Sequence, residues 1–387
     1  MSDHPLLKSR RHWLRISIRG LIVLVLIIGT GLGWVVRSAR IQRAAVDSII
    51  KHGGTVKYRW EYSDGRYPRN GKPWAPKWFV DRLGVDYFGR VVVVDLSRRG
   101  GADASDEVLS QIKDLTGLER LVVYGSSVTD AGLANLEPLS NLKHLTIFSK
   151  QVTDSGLAHV RRLTSLRSLT LSHNSLTGTG LVNLEGLTGL EFLSVHDTAV
   201  ADGGLDHVKG LTKLKILDLG RTQITDAGLN DLKGLPDLEL LNLYATQITD
   251  AGLVNLRGLT NLTALHLSNT KVSEAGLVHL KGLNNLTELS LNGTQIHDDG
   301  LALLTGLTKL VRLDLDQSQV TDAGLANLEG HISLRSIKLC NTQVTDIGLK
   351  NLKGLANLDF LELRGTRVTD AGVAELQQAL PKVKIGR

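Results

Sequence analysis

The side chains best suited to catalysis or metal binding are spread along the chain rather than clustered. Of the twelve histidines, three (His159, His207 and His279) share one position of a repeat but lie two or three repeats apart. Metal ligands must be adjacent, so this spacing favours solvated surface histidines. No G-x-S-x-G, H-E-x-x-H or P-loop motif is present, and the single cysteine, Cys340, excludes an intrachain disulfide. The sequence therefore predicts no catalytic residues, no metal site, no cofactor and no enzymatic activity.

A ladder of acidic residues is the most regular polar feature. Its members recur at 24-residue intervals with one interruption at Gly178: Asp130, Asp154, Asp202, Asp226, Asp250, Glu274, Asp298, Asp322, Asp346 and Asp370. Aspartate at the start of a helix accepts hydrogen bonds from free backbone N–H groups, so Asp226 and its equivalents are predicted to be helix N-caps. Calcium binding is disfavoured because each repeat offers one carboxylate, whereas calcium takes about six to eight oxygens.

A repeat of 24 residues positions these side chains. Leucine recurs without a slip from residue 118 to residue 358, and glycine from 132 to 372. The unit is L-x-x-L-x-L-x-x-T-x-[VI]-T-D-A-G-L-x-x-L-x-G-L-x-x, of which residues 214–237 are a clean copy. This period is typical of leucine-rich repeats. It predicts an α/β solenoid over residues 91–387, a horseshoe of about 12 units with a parallel β-sheet on the concave face and short helices on the convex face.

Other positions of the unit have predicted structural roles. Thr222 and its equivalents should bond backbone groups at the turn after the strand, and Gly228 and its equivalents should leave room between coils. Gly178 and His331 depart from the pattern and are interpreted as local drift. Residues 91–96 are predicted to be the first strand of the array, and residues 383–385 the last.

The outward positions of the strands are the candidate binding surface. Aromatic and histidine side chains concentrate in the first half of this face, and exposed aromatic residues on a rigid concave surface are typical of interaction hot spots. We therefore predict a protein or peptide ligand on the concave face. The candidate contact residues are Tyr124, His144, Phe148, Phe192, His196, Tyr244 and His266.

The beginning of the chain has the pattern of a membrane anchor. Residues 20–36 are uncharged and dominated by Leu, Ile and Val, and as a helix they would span about 25 Å. More basic residues precede the run than follow it, which predicts a cytoplasmic tail over residues 1–19, a single transmembrane helix over 20–36 and extracytoplasmic repeats. A cleaved signal peptide and a twin-arginine signal at residues 9–14 remain as alternatives.

Residues 37–90 are predicted to form a membrane-proximal capping module. They comprise a helix over residues 41–52 stopped by Gly53 and Gly54, a strand over 55–62, a proline-containing loop over 63–76, and a helix over 77–83 ended by Gly84. A solenoid needs its apolar end covered, so capping is the expected role. A ligand site in this aromatic and basic module is the alternative.

The charge of the chain is divided between these parts. Residues 1–90 hold 17 Lys+Arg and 6 Asp+Glu, whereas the remaining 28 Lys+Arg and 33 Asp+Glu lie in residues 91–387. The solenoid is thus mildly acidic, which argues against a nucleic-acid partner. The oligomeric state is not indicated.

The T-x-[VI]-T-D-A-G-L-x-x-L motif resembles the cysteine-containing subclass of leucine-rich repeats, with Thr222 and its equivalents in the place of cysteine. The whole chain is similar to a bacterial family of membrane-anchored leucine-rich-repeat proteins, through its basic start, residues 53–58 and residues 83–88. The resemblance implies an interaction module without catalytic activity. An envelope structural or glycan-binding role is the alternative, and a substrate receptor for ubiquitin ligation is a remote one that depends on analogy with the repeat subclass.

Overall fold

The computed structural model describes residues 18–62, 71–97, 104–125 and 127–387. Their centre is one sheet in which the strands follow chain order. The first strand is antiparallel to the second, and the later neighbours are parallel. The strands are β1 (Thr55–Tyr58), β2 (Val91–Leu96), β3 (Arg120–Tyr124), β4 (His144–Phe148), β5 (Ser168–Thr170), β6 (Phe192–Ser194), β7 (Ile216–Asp218), β8 (Leu240–Asn242), β9 (Ala264–His266), β10 (Glu288–Ser290), β11 (Arg312–Asp314), β12 (Ser336–Lys338), β13 (Phe360–Glu362) and β14 (Lys384–Gly386).

Short helices return the chain from each parallel strand to the next. The α-helices are α1 (Ile18–Lys51), α2 (Lys77–Leu83), α3 (Asp106–Ile112), α4 (Asp130–Leu133), α5 (Asp250–Leu253), α6 (Glu274–Leu277), α7 (Asp298–Ala302), α8 (Asp322–Leu325), α9 (Asp346–Lys350) and α10 (Asp370–Ala379). Turns of 3-10 helix cover Val85–Tyr87, Ala134–Leu136, Asp154–His159, Thr179–Leu184, Asp202–His207, Gly228–Gly234, Val254–Leu256, Val278–Leu280 and Ala326–Leu328. The predicted leucine-rich-repeat solenoid, with its parallel sheet and short helices, is confirmed.

Each coil buries one set of aliphatic side chains. Leu217 and Leu219 point inward from β7, and Ile224 fills the return path; all three are fully buried. One hydrophobic cluster extends from Ala45 to Val383. Each buried leucine contributes about 1.5–3 kcal/mol before conformational entropy is counted. Since a coil covers its leucines only with the coils on either side, its stability depends on stacking.

A residue in the left-handed conformation turns the chain after each regular strand. The residue that follows it, Thr222 in one coil, donates a hydrogen bond from Oγ1 to the Leu219 carbonyl at 2.6 Å, which confirms the predicted role of this threonine. Left-handed backbone is unfavourable for most residues other than glycine. The turn positions are His173, Asp197, Arg221, Ala245, Asn269, Gly293, Gln317, Asn341 and Gly365.

The aspartate ladder joins neighbouring coils. Asp226 Oδ1 accepts the backbone N–H of Thr249 at 2.8 Å, and Oδ2 accepts Thr249 Oγ1 at 2.5 Å. The sequence pattern predicted that Asp226 caps its own helix. This prediction is wrong, because the carboxylate bonds to the next coil instead. The capping side chain is the threonine, since Thr249 Oγ1 accepts the N–H of Ala251 at the start of α5. With both carboxylate oxygens engaged by threonine, the ladder has a structural explanation without calcium.

The glycine of the repeat provides the space for this contact. A Cβ atom on Gly252 would lie 2.3 Å from Asp226 Oδ1, and one on Gly228 would lie 2.5 Å from Asp202 Oδ1. Such distances are too short for any side chain. The prediction that this glycine allows close packing of coils is confirmed, and the group it accommodates is the aspartate of the preceding coil.

Two irregular coils show that the carboxylate and its partner change together. Gly178 replaces the aspartate, and the next coil has Ala201, which carries no hydroxyl, at the threonine position. Its backbone N–H donates to the Thr177 carbonyl at 3.2 Å instead. In another coil Glu274 faces His297, with Oε2 3.4 Å from Nδ1. The repeat therefore preserves a contact between two positions, and Gly178 is more than independent drift.

The N-terminal helix differs from its prediction. A single helix, α1, runs through the predicted span over residues 20–36, the charged residues after it and the predicted helix over 41–52. No helix in the described ranges is long and apolar enough to cross a membrane, so the predicted transmembrane helix is not supported. The predicted cytoplasmic tail, residues 1–19, lies almost wholly outside them.

The end of α1 packs on the first coil of the solenoid. Ala45, Val46 and Ile49 are buried in the same cluster as Leu96 and Leu109. Strand β1 is four residues long, shorter than the predicted strand over 55–62, because its antiparallel register with β2 ends in an irregularity. The predicted loop over residues 63–76 lies partly outside the described residues. The predicted helix over 77–83 is confirmed as α2.

We expect Gly252→Ala to destabilise the solenoid by about 1–3 kcal/mol, because the new methyl group displaces Asp226. The matched control is Gly258→Ala in the same coil, where a Cβ would meet no atom within 4 Å. This control should be neutral or slightly stabilising. Denaturant unfolding measures both changes. In an Asp226→Ala background the cost of Gly252→Ala should fall; an equal cost in both backgrounds would contradict the proposed contact.

Candidate binding face of the sheet

The solvent side of the parallel strands forms one continuous surface, here called the open face. In β4, Leu145 and Ile147 are buried, whereas His144, Thr146 and Phe148 alternate with them and are half-exposed. The same alternation holds along the array because the strands are paired in register. Residues that occupy equivalent positions in neighbouring coils are therefore adjacent across this face.

The open face is irregular at its beginning. β3 and β4 each contain five residues, whereas strands β5 to β14 contain three. The left-handed turn is absent at Gly125 and Ser149, which occupy its position in these two coils, and begins only at His173. Asn174 from the next coil compensates, because its Oδ1 accepts the Ser149 N–H at 2.7 Å and its Nδ2 donates to the Ile147 carbonyl at 3.2 Å. The strands are thus prolonged where the aromatic pair lies.

Tyr124 and Phe148 form a stacked pair on this prolonged part of the sheet. They are register partners, and their rings lie 4.2 Å apart at 29°. Phe148 then contacts His173 (5.7 Å between ring centroids), and His173 contacts His196 (6.0 Å). The four rings form a row across four coils, here called the aromatic row. Beside it is an open depression of about 480 Å³, whose lining also includes Lys150 and Gln151.

The aromatic row combines apolar surface with hydrogen-bonding groups. His173 Nδ1 bonds to Asp197 Oδ2 across the coil boundary, and His196 Nδ1 lies 3.5 Å from Asp218 Oδ1. The His173 ring is thus oriented by a carboxylate of the following coil, whereas His196 Nδ1 lies near a carboxylate without a hydrogen bond to it. A ligand that lies along the row meets two aromatic rings at one end and two imidazoles at the other, of which that of His173 is hydrogen-bonded to a carboxylate. Such a mixture suits a ligand with both apolar and polar groups.

A partly buried polar network continues from the end of the row. Asp218 Oδ1 accepts hydrogen bonds from Asn242 Nδ2 at 2.7 Å and from the Gly220 N–H at 3.1 Å, and Oδ2 accepts Ser194 Oγ at 3.1 Å. Ser194 Oγ also lies 3.0 Å from Ser172 Oγ. These side chains are satisfied by one another, so their geometry is fixed before any ligand arrives.

His144 lies at the opposite end of β4 from Phe148. Burial, followed by the positive charges of Arg120 and Lys143, lowers the pKa of His144. Its imidazole is therefore neutral at neutral pH and offers one donor and one acceptor rather than a charge.

The remaining predicted residues lie apart from the aromatic row. Phe192 begins β6. Tyr244 packs under the Arg221 guanidinium, 5.4 Å from the ring centroid. His266 Nε2 contacts Glu288 Oε1 at 3.2 Å, and the other oxygen of Glu288 accepts Arg312 Nη1 at 2.8 Å. The structure therefore brings together Tyr124, Phe148 and His196, and separates the other four.

Sequence reasoning missed His173, Asp197 and Asp218 as members of the candidate site. His173 and Asp197 occupy the turn position rather than the strand. Asp218 is an outward strand residue, but its hydrogen bonds to neighbouring coils do not follow from the strand pattern. The alternation of residues in a short strand identifies which side chains face outward. It does not show that the turn residue of one coil reaches between two strand residues of its neighbours.

Comparison with known proteins supports the fold. A family model described as Leucine Rich repeat matches residues 162–184, 210–232 and 282–304. The chain contains leucine-rich repeats. The crystal structure of an internalin from Listeria monocytogenes is similar, with 27% sequence identity and a TM-score of 0.56, over 73% of this chain and 88% of the internalin. A plant peptide hormone receptor in complex with RGF2 shares 13% identity with a TM-score of 0.44, over 71% of this chain and 56% of the receptor.

No match was found among curated protein sequences. The family model and the similar structures indicate no enzyme family.

We expect Asp218→Ala to destabilise the middle of the solenoid by about 1–3 kcal/mol, because it leaves the buried hydroxyl of Ser194 and the half-buried amide of Asn242 without their acceptor. Asp218→Asn keeps the Oδ1 acceptor, so its cost should be clearly smaller. Denaturant unfolding compares the two variants. Equal stability of both with the original chain would show that this network does not hold the open face.

Proposed function

We propose that the chain is an interaction module that binds a protein or peptide segment on its open face, with the aromatic row as the main contact. The observation that carries this proposal is the prolonged sheet at Tyr124 and Phe148. It places a stacked aromatic pair next to a depression, where the other coils turn away. Rigid, half-exposed aromatic side chains in a preorganised setting contribute strongly to protein interfaces.

The second half of the open face is less suited to binding than the first half. Its charged side chains are paired with one another across coils: Glu288 with Arg312, and Asp314 with Lys338. Such pairs must be separated or desolvated before they contact a partner, which reduces the net gain. Tyr124 and Phe148 carry no charge at neutral pH, so contact with them does not require an ion pair to be separated.

We expect Tyr124→Ala with Phe148→Ala to reduce binding of peptides selected on the original chain by at least about tenfold, since two hot-spot residues are removed. The peptides would come from a displayed random-peptide library. Phe360→Ala, an aromatic removal from the second half of the same face, is the matched control. Calorimetry measures affinity, and circular dichroism confirms the fold. Peptides that bind both variants as tightly as the original chain would contradict the assignment.

A glycan-binding role is the second candidate, because the stacked rings of Tyr124 and Phe148 could support a sugar ring. A glycan array separates the two functions. Retention of glycans by the original chain, lost in the same double variant and accompanied by no peptide selection, would favour the glycan. Selection of peptides without retention of glycans would favour the polypeptide.

We also propose that residues 20–36 attach the chain to a membrane, with the N-terminus in the cytoplasm and the repeats outside. The sequence run is uncharged, and its described side chains are exposed on all sides of α1, for example Ile27, Leu32 and Trp34. A solvated helix with such a surface is unfavourable in water.

This attachment predicts that the chain resists alkaline extraction from membranes. Ile27→Lys with Ile28→Lys should release it into the soluble fraction because charged groups are costly in hydrocarbon, whereas Ile27→Leu with Ile28→Leu should not. A C-terminal reporter that is active only outside the cytoplasm tests the orientation. Extraction of the original chain as a soluble protein would contradict the attachment.

A further inference from the structure

Helix α2 has no buried residue. It nevertheless carries Trp78, Phe79, Val80 and Leu83 within seven residues. Trp78 is 69% exposed, and Trp74, just before the helix, is 79% exposed. A helix of this length gains little stability from its own hydrogen bonds and normally depends on packing of its apolar side. The apolar side of α2 therefore needs a partner outside the described fold.

The aromatic side chains around α2 form one cluster. Trp78 and Phe79 lie 5.2 Å apart between ring centroids, Phe79 and Phe88 lie 5.4 Å apart, and Trp74 meets Phe88 edge-on at 5.6 Å. Phe88 is buried and anchors the cluster. The two tryptophans and Phe79 project from it into solvent.

Basic residues surround this cluster. Lys72, Lys77 and Arg82 lie within or next to it and are exposed, and they outnumber Asp81, the exposed carboxylate of α2. One of the nearby carboxylates, Asp86, is occupied by hydrogen bonds from Gln42 Nε2 and Tyr58 Oη, both at 2.9 Å. Exposed tryptophan combined with Lys and Arg is the composition of segments that lie at the headgroup level of a membrane and attract anionic lipids.

The cluster is held close to the end of the apolar part of α1. Gln42 bonds to Asp86, to the Gly89 carbonyl at 2.8 Å and to the Val91 N–H at 3.0 Å, and so fixes the segment after α2 on α1. Gln42 follows Val36, the last residue of the apolar run, by about 9 Å of helix. A headgroup layer is about 5–8 Å thick. If α1 enters the hydrocarbon as proposed above, Gln42 lies at the outer edge of the headgroup layer, and the segment that directly follows α2 is held beside it.

We propose that Trp74, Trp78 and Phe79, with Lys72, Lys77 and Arg82, form a second membrane contact that docks on anionic lipid headgroups. The proposal is related to the attachment by residues 20–36 but involves a different surface. A protein partner would also cover an aromatic surface. The lipid is favoured because the basic and aromatic residues lie beside the apolar part of α1. The solenoid, by contrast, is acidic.

The test uses the full chain with Trp13, Trp34 and Trp60 replaced by phenylalanine, so that Trp74 and Trp78 are the emitters. The protein is reconstituted with vesicles of phosphatidylcholine, with or without phosphatidylglycerol. A lipid with a spin label on its headgroup quenches nearby tryptophan fluorescence. We expect marked quenching in vesicles that contain phosphatidylglycerol. Lys72→Glu, Lys77→Glu and Arg82→Glu together should remove most of it, whereas reversal of three exposed solenoid lysines (Lys213, Lys281 and Lys382) should not.

Flotation of the same samples reports the attachment by α1 separately. A chain that floats with the vesicles but shows no quenching of Trp74 and Trp78 would overturn this inference and leave the attachment intact. Quenching that is the same with and without phosphatidylglycerol, or unchanged by the cluster charge reversal, would also overturn the anionic contact. Failure to float without phosphatidylglycerol, together with quenching when it is present, would support α2 and contradict the attachment by residues 20–36.

Discussion

The hydrogen-bonded contact between the aspartate of one coil and the threonine of the next sets the spacing on which the solenoid depends. Asp226 accepts hydrogen bonds from both the backbone and the hydroxyl of Thr249. The repeat requires glycine at Gly252 because a side chain there would occupy the space of the Asp226 carboxylate. Three positions of the unit are therefore linked by one constraint. Burial of leucine supplies most of the stabilisation. The hydrophobic effect has no preferred direction, whereas the hydrogen bonds of Asp226 fix how one coil is placed on another. Where the carboxylate is lost, at Gly178, its partner changes too, to Ala201.

A rigid repeat makes a local departure informative. The coils from His173 onward share a left-handed turn, and the departure at Gly125 and Ser149 prolongs two strands and presents Tyr124 beside Phe148. The irregularity is stabilised by its own hydrogen bonds through Asn174. Binding surfaces in repeat proteins arise by such variation on one face while the core remains uniform. Tyr124 and Phe148 therefore change the outer surface of the sheet while the buried leucine positions of their coils are retained.

The sequence was sufficient for the fold because the leucine and glycine positions report directly on burial and close packing. It was less informative about contacts between coils. Asp226 was interpreted as a helix cap, since a sequence pattern shows which residues start a helix but not that a side chain reaches the next coil. The break predicted between residues 36 and 41 was wrong, because the charged residues there do not end the helix. His331, taken for drift, is buried, with Nε2 donating to the Leu304 carbonyl at 3.0 Å. The candidate site was predicted only in part. The left-handed turns bring His173 into the aromatic row and Asp197 beside it, and these turns follow from the backbone conformation.

The most direct test of the account is photo-crosslinking in living cells with a light-activated amino acid placed at one position at a time. Placement at Phe148 should yield a discrete crosslinked polypeptide. Placement at Phe360 on the second half of the open face, or at Val254 on the helical side, should yield little or none. Equal crosslinking at all three positions, or crosslinking confined to Phe360 or Val254, would contradict the claim that the prolonged strands form the binding surface.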